Sequence, residues 1–153
     1  MPAYELYGQE EIDAVVDVLQ RKIVHRYSSH EARGGIYRAK EFEDVVARAV
    51  GAKYCQAVSS GSAALYVALK ALGVGPGDEV ITSAFTFIAS IEAILECGAV
   101  PVLADIDESL NLDPESAEDA ISEKTKVIMP VHMYGAAADM ERFRELCDLY
   151  GLY

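Results

Sequence analysis

The sequence predicts an α/β fold: a mainly parallel sheet covered by helices. Three observations predict it. From Lys53 onward, short apolar runs alternate with stretches of helical spacing. The runs are nearly continuous rather than alternating, the pattern of strands buried on both faces. Helical segments separate the runs, as parallel neighbours require, and such crossovers are right-handed. At 153 residues the chain suits one ordinary domain. A chain of this size buries roughly 70% of its unfolded surface, enough for a real core.

The elements follow in order. Residues 9–22 place Ile12, Val15, Val16 and Leu19 on one helical face. Residues 28–35 are polar and glycine-containing, and read as a loop. Residues 39–50 resume helical spacing through Phe42, Val45, Val46 and Ala49, and Gly51 is placed to end that helix. Residues 54–59 form the first strand candidate, and residues 62–72 a helix closed by Gly73. Gly75-Pro76-Gly77-Asp78 fits a type II turn: proline pre-sets its second position and glycine supplies positive φ at its third. A second strand spans residues 79–83, a helix 87–96 ends at Gly98, and a third strand spans 100–105. Asp113-Pro114-Glu115 opens another helix with a cap, a first-turn proline and a dipole-matched acid. A fourth strand spans residues 126–131, and a last helix runs from Asp139 to a stop at Gly151. The expected division is a helical segment with a variable loop at 1–52 and an α/β region at 53–153.

Composition narrows the function. Hydrophobic residues make up 52%, which excludes a disordered tail. Thirteen basic residues face 25 acidic ones, for a net charge of −12, a field that repels nucleic acid and anionic membranes. No apolar run reaches membrane-span length, and Met1-Pro2-Ala3-Tyr4-Glu5 does not resemble a signal peptide. The expected location is the cytoplasm. Cys55, Cys97 and Cys147 lack paired spacing and sit in apolar segments, so they read as buried reduced thiols.

In such sheets, ligands bind at the carboxyl ends of the strands. After the first strand comes Ser59-Ser60-Gly61-Ser62-Ala63-Ala64-Leu65. Here unpaired N–H groups and the helix dipole form an anion site, and the Ser62 hydroxyl adds a donor. Ser60 or Ser62 serving simply as a helix cap is the competing reading. After the second strand come Phe85, Thr86 and Phe87. Phe85 reads as core. Phe87 reads equally as core or as a ring able to stack on a flat heterocycle. After the third strand, Asp105 and Asp107 lie near Asn111 and Asp113 and read as a capped, solvated loop rather than a metal or acid–base pair. After the fourth comes His132, the best-placed histidine for chemistry, which reads as a hydrogen-bonded structural residue with a catalytic role as the lesser reading.

Taken in order, these segments resemble one family. They include Val50-Gly51-Ala52-Lys53-Tyr54, Ser60-Gly61-Ser62-Ala63-Ala64-Leu65 and Ala71-Leu72-Gly73-Val74-Gly75-Pro76-Gly77-Asp78. They continue through Phe85-Thr86-Phe87, Gly98-Ala99-Val100-Pro101-Val102, Asn111-Leu112-Asp113-Pro114 and Pro130-Val131-His132-Met133-Tyr134-Gly135. The order and spacing are similar to the DegT/DnrJ/EryC1/StrS group of fold-type-I, pyridoxal-phosphate-dependent sugar aminotransferases. The resemblance covers residues 42–151 and implies the N-terminal half of that family's large domain.

The resemblance implies that the backbone of Gly61 and Ser62, with the Ser62 hydroxyl, holds the phosphate of pyridoxal 5'-phosphate. It implies that Phe87 stacks on the cofactor ring. It implies transfer of an amino group from glutamate or glutamine to a keto sugar, usually nucleotide-linked, or to a keto-cyclitol. The implied partners are those small molecules, with a homo-oligomer or a missing C-terminal half completing the site. The family's cofactor lysine and its pyridine-facing aspartate lie downstream of the matched region. Lys124 and Lys126 precede the fourth strand, at the wrong end for the site. No catalytic residue is therefore assigned, and the isolated chain is expected to be truncated and inactive. A non-catalytic binding, regulatory or pairing module is the alternative. A weaker one is a flavodoxin-like domain for a phosphorylated ligand. Residues 26–37 depart from the shorter family pattern, close to where relatives take substrate.

Overall fold

The computed structural model describes residues 6–26 and 30–153. The chain forms two compact units, Met1–Ala57 and Val58–Tyr153. In the first unit, α1 (Gln9–Arg21) begins where the Glu11 carboxylate accepts the Gly8 N–H at 2.7 Å. Its apolar residues Ile12, Val15, Val16 and Leu19 are all exposed. Of the predicted loop at 28–35, Ser28 and Ser29 lie outside the described residues. His30–Arg33 forms one helical turn, α2, rather than loop, and Gly34 and Gly35 follow with positive φ. Then α3 (Arg38–Val50) ends where Gly51 turns left-handed, as predicted.

The first strand candidate, residues 54–59, is not a strand. A strand exists only when a neighbour completes its ladder. Here the Ala57 N–H donates instead to a side chain, Glu43 Oε1, at 2.8 Å. Glu43 is buried and also pairs with Arg26. The Ala57 amide, and after it the Arg26 guanidinium, hold its carboxyl below the usual glutamate value.

The second unit carries the sheet. Its elements are α4 (Gly61–Ala71), β1 (Glu79–Ser83), α5 (Ala89–Glu96), β2 (Val100–Ala104), α6 (Pro114–Asp119), β3 (Thr125–Met129) and α7 (Met140–Tyr150). The three strands are parallel in the order β2-β1-β3. The turn before β1 forms as predicted: Asp78 N donates to Gly75 O at 3.1 Å, and Gly77 has φ +93°. Beyond β3, Tyr153 N donates to Lys126 O at 3.0 Å and Ile128 N to Tyr153 O at 2.9 Å.

Both faces of the sheet are covered, which is why the strands read as continuous apolar runs. Val80 and Val127 face one core with Leu69 of α4 and Ile94 of α5. Ile81 and Ile128, one residue along, face the other with Ala117 of α6 and Phe143 and Leu146 of α7. Burying each large aliphatic side chain contributes about 1.5–3 kcal/mol. Cys97 lies in the first core, where burial pushes its thiol pKa up, while Cys55 and Cys147 are only half-buried.

Candidate functional site

Chain order decides which end of the sheet collects the loops. Helix α4 finishes just before the turn into β1, so its N-terminus lies toward the far, carboxyl end of β1. Helix α5 starts just beyond that same end. The loops after Ser83, Ala104 and Met129 therefore share an edge with the N-terminus of α4. Ligands of open parallel sheets gather at that edge.

At α4 the competing readings of the serines separate. Ser60 is the cap: its Oγ accepts from Ala63 N at 3.1 Å and its carbonyl from Ala64 N at 3.0 Å. The amides of Gly61 and Ser62 precede the first intrahelical bond and have no acceptor in the helix. Gly61 and Ser62 are both exposed, and a Cβ on Gly61 would meet nothing within 4 Å. Ser62 leaves capping to Ser60, so its hydroxyl is available alongside the two amides. Two outward N–H groups, a hydroxyl and a helix dipole suit an anionic group.

After β1, Ser83 is buried and folds the chain back on itself. Its Oγ donates to Phe85 O and accepts from Phe85 N, each at 3.0 Å. Thr86 is half-buried, and its hydroxyl bonds Ser90 Oγ at 3.0 Å. Phe87 is 75% exposed, just ahead of α5, so it is not a core residue. Phe85 is 41% exposed, which corrects the expectation that it is core. The chain has left β1 by this point and bends through the Ser83–Phe85 bonds, which leaves the Phe85 ring outside the packed faces of the sheet.

The loop after β2 is built as predicted. Asp107 Oδ1 accepts from Ser109 N at 2.8 Å and from Ser109 Oγ at 2.5 Å. The Ser109 hydroxyl, above all, holds the Asp107 carboxyl below its usual value. Asp113 caps α6 through Glu115 N. After β3, His132 is exposed, and its Nδ1 accepts from Ala138 N at 3.0 Å, a structural bond. The residue missed from sequence is Asn111. It is buried, and its Oδ1 accepts from Met133 N at 2.8 Å, tying the β2 loop to the β3 loop. Its signals were an asparagine inside a loop of acids and the Asn111-Leu112-Asp113-Pro114 segment, and neither pointed to the bond with Met133.

The lysines of the second unit lie at the other end. Lys70 Nζ donates to Val74 O at 3.1 Å. The Lys124 carbonyl accepts from Glu79 N at 2.8 Å, at the start of β1. Lys126 Nζ donates to Gly73 O at 2.8 Å and to Asp78 at 3.1 Å. Among the described residues, no helix is long and apolar enough to cross a membrane, and no group of three or more metal-ligating side chains occurs.

Residues 6–153 match the model of the DegT/DnrJ/EryC1/StrS aminotransferase family. The chain is 43% identical over 149 residues to the spore coat polysaccharide biosynthesis protein SpsC of Bacillus subtilis, covering 97% of this chain and 36% of that one. It is 48% identical over 113 residues to the UDP-2-acetamido-2-deoxy-3-oxo-D-glucuronate aminotransferase of Pseudomonas aeruginosa, covering 73% and 32%. It superposes on the crystal structure of ntda from Bacillus subtilis with bound cofactor PMP, with a TM-score of 0.81 and 33% identity, covering 99% and 34%. The chain thus spans about a third of the length of these relatives. From the ordered loops at the carboxyl edge to the family match along nearly its whole length, the chain belongs to the DegT/DnrJ/EryC1/StrS aminotransferase family.

Proposed function

We propose that this chain forms part of a pyridoxal-phosphate-dependent aminotransferase. The reaction moves an amino group from glutamate or glutamine to a keto sugar or keto-cyclitol. The observation that carries this reading is the open N-terminus of α4 at the ligand edge of the sheet. The Gly61 and Ser62 amides and the Ser62 hydroxyl are placed to hold a phosphate dianion. The chemistry of the donors fits the group: neutral N–H and O–H donors backed by a helix dipole. Phe87 offers an exposed ring face to the flat heterocycle. When bound, pyridoxal phosphate supplies an electron sink for amino-group chemistry. The chain's own share is to anchor the phosphate, fix the tilt of the ring and shield one of its faces.

Titrating the chain with pyridoxal phosphate tests this. Ser62→Ala should raise Kd roughly fivefold, the loss of one hydrogen bond worth about 1 kcal/mol. Ser62→Thr should keep most of the affinity. Unchanged affinity in Ser62→Ala would place the phosphate elsewhere.

A second reading is supported by the lysines. All three in the second unit lie at the N-terminal end of the sheet: Lys70 and Lys126 through their ammonium groups, Lys124 through its backbone carbonyl. In that reading the chain contributes binding or pairing without catalysis of its own. Borohydride treatment after cofactor addition should then leave no single lysine labelled. A pyridoxyl label confined to one lysine refutes it.

A further inference from the structure

Between β3 and α7 the chain makes a turn that its sequence does not favour. Tyr134 has φ +51° and ψ +24°, the left-handed region, and Gly135 follows at φ +85°. Glycine enters that region freely, whereas a tyrosine there is strained. The strain is held by two hydrogen bonds. Met133 N donates to the buried Asn111 Oδ1 at 2.8 Å, and Ala136 N donates to Met133 O at 2.9 Å. Asn111 is itself fixed, because its Nδ2 donates to Ser109 Oγ at 2.8 Å.

The outcome is a tyrosine with 85% of its surface in solvent. Its ring stands 6.4 Å from that of Phe85 and is tilted by 46°. Phe85 is itself 41% exposed. Packing among the residues of this chain does not account for the strain, since the Tyr134 side chain lies almost wholly outside their core. The two rings come from the ends of adjacent strands, β1 and β3, on the edge where α4 opens. Together they give an apolar wall with one phenol hydroxyl, a donor and acceptor, at its rim. A polyhydroxylated carbon ring has matching chemistry: an apolar C–H face bordered by hydroxyls.

We propose that Tyr134 is a specificity-determining residue for the carbon ring of the amino acceptor. Phe85 backs it, and Asn111 acts as the positioning residue that holds its turn. The inference rests on the aminotransferase reading above and adds the surface that meets the acceptor.

The test uses the full chain saturated with pyridoxal phosphate, followed by NMR of labelled amides and tyrosine rings. The probes are UDP-glucose, GDP-mannose, dTDP-glucose and myo-inositol, with UDP, GDP and dTDP as ring-free controls. At least one ring-bearing probe should shift the Tyr134 ring signals where its control does not. Tyr134→Ala should weaken that probe roughly tenfold. It should leave the pyridoxal phosphate Kd within about twofold, because an exposed side chain away from the phosphate is removed. Tyr134→Phe should recover most of the loss, since the ring face survives. Asn111→Leu should weaken the probe with Tyr134 intact, and Asn111→Asp, which keeps an acceptor for Met133 N, should partly restore it. If the cofactor shifts the Gly61 and Ser62 amides but no probe reaches Tyr134, the inference fails and the parent reading stands. If the cofactor shifts neither amide, the parent reading falls and takes the inference with it. Tyr134 signals that move with protein concentration alone would assign the rings to self-association and overturn the proposal.

Discussion

The two ends of one sheet are built to opposite rules. At the amino end of the strands, groups satisfy one another. Lys126 Nζ reaches the Gly73 carbonyl at 2.8 Å and Asp78 at 3.1 Å, and Asp78 also accepts from Gly75 N at 3.0 Å. Ser122 Oγ donates to Glu79 at 2.5 Å. At the carboxyl end, the Gly61 and Ser62 amides open outward while Phe85, Phe87 and Tyr134 stand exposed. The same strands run through both ends, so the difference lies in the connections. With the proposed site at the carboxyl end, the contrast predicts that stability and binding are separable. Substitutions at the amino end should cost folding and spare ligands, and those at the carboxyl end should do the reverse.

Gly98 offers the hardest test of the first half. It has φ +79°, and a Cβ there would lie 3.1 Å from Pro76 Cγ. Gly98→Val should combine backbone strain with overlap and cost roughly 2–4 kcal/mol in urea unfolding. The affinity of the remaining folded protein for pyridoxal phosphate should not change. A fall in affinity that exceeds the unfolded fraction would break the separation of the two ends. Lys126→Met is milder. Removing the bond to the Gly73 carbonyl should cost about 1.5 kcal/mol, again with cofactor binding intact.

Phe87→Ala probes the other end. The ring is 75% exposed, so folding stability should shift by no more than about 0.5 kcal/mol. Cofactor affinity should fall roughly fivefold with the lost stacking, read by fluorescence titration. A large loss of stability without loss of affinity would mean that the ring packs rather than binds.

What was legible in sequence was local, at either end of the sheet. Gly75-Pro76-Gly77-Asp78 announces its turn, and β1 begins and ends at the predicted residues, Glu79 and Ser83. Local signals were as clear elsewhere: Asp113 and Asp139 cap helices at the carboxyl edge, Gly51 stops α3 in the first unit, and Gly151 stops α7. The failures involve partners distant in sequence. Residues 54–59 have strand composition, but a ladder needs a neighbour, and the Ala57 amide finds Glu43 instead. Phe85 is the local exception: it looked like core by its hydrophobicity, but the chain has already left β1 there and bends at Ser83–Phe85. Asn111 reaches Met133, 22 residues away, and no local pattern announces that contact. The Ser60-Gly61-Ser62 segment was legible as an anion site or a cap; the cap is Ser60, and Gly61 and Ser62 stay exposed, as the proposed phosphate site needs.

The finest distinction concerns protons at the closed end. The Lys126 ammonium, first, and the Gly75 amide, second, hold the Asp78 carboxyl below its ordinary value of 3.8. A carboxylate depressed in the folded state stabilises the fold above the unfolded pKa, and that contribution is lost as pH falls through the folded one. The stability gap between the native chain and Asp78→Asn should therefore be constant near neutrality. It should shrink as pH drops below about 4. The effect is small because the pair is partly exposed, with 32% and 29% of the two side chains accessible, and salt should weaken it further. Combining Asp78→Asn with Lys126→Met isolates the cause. In the Lys126→Met background the gap should narrow at neutral pH and lose most of its pH dependence. A gap that widens as pH falls would mean that Asp78 is destabilised when ionised, and the closed end would then be held by something other than this pair.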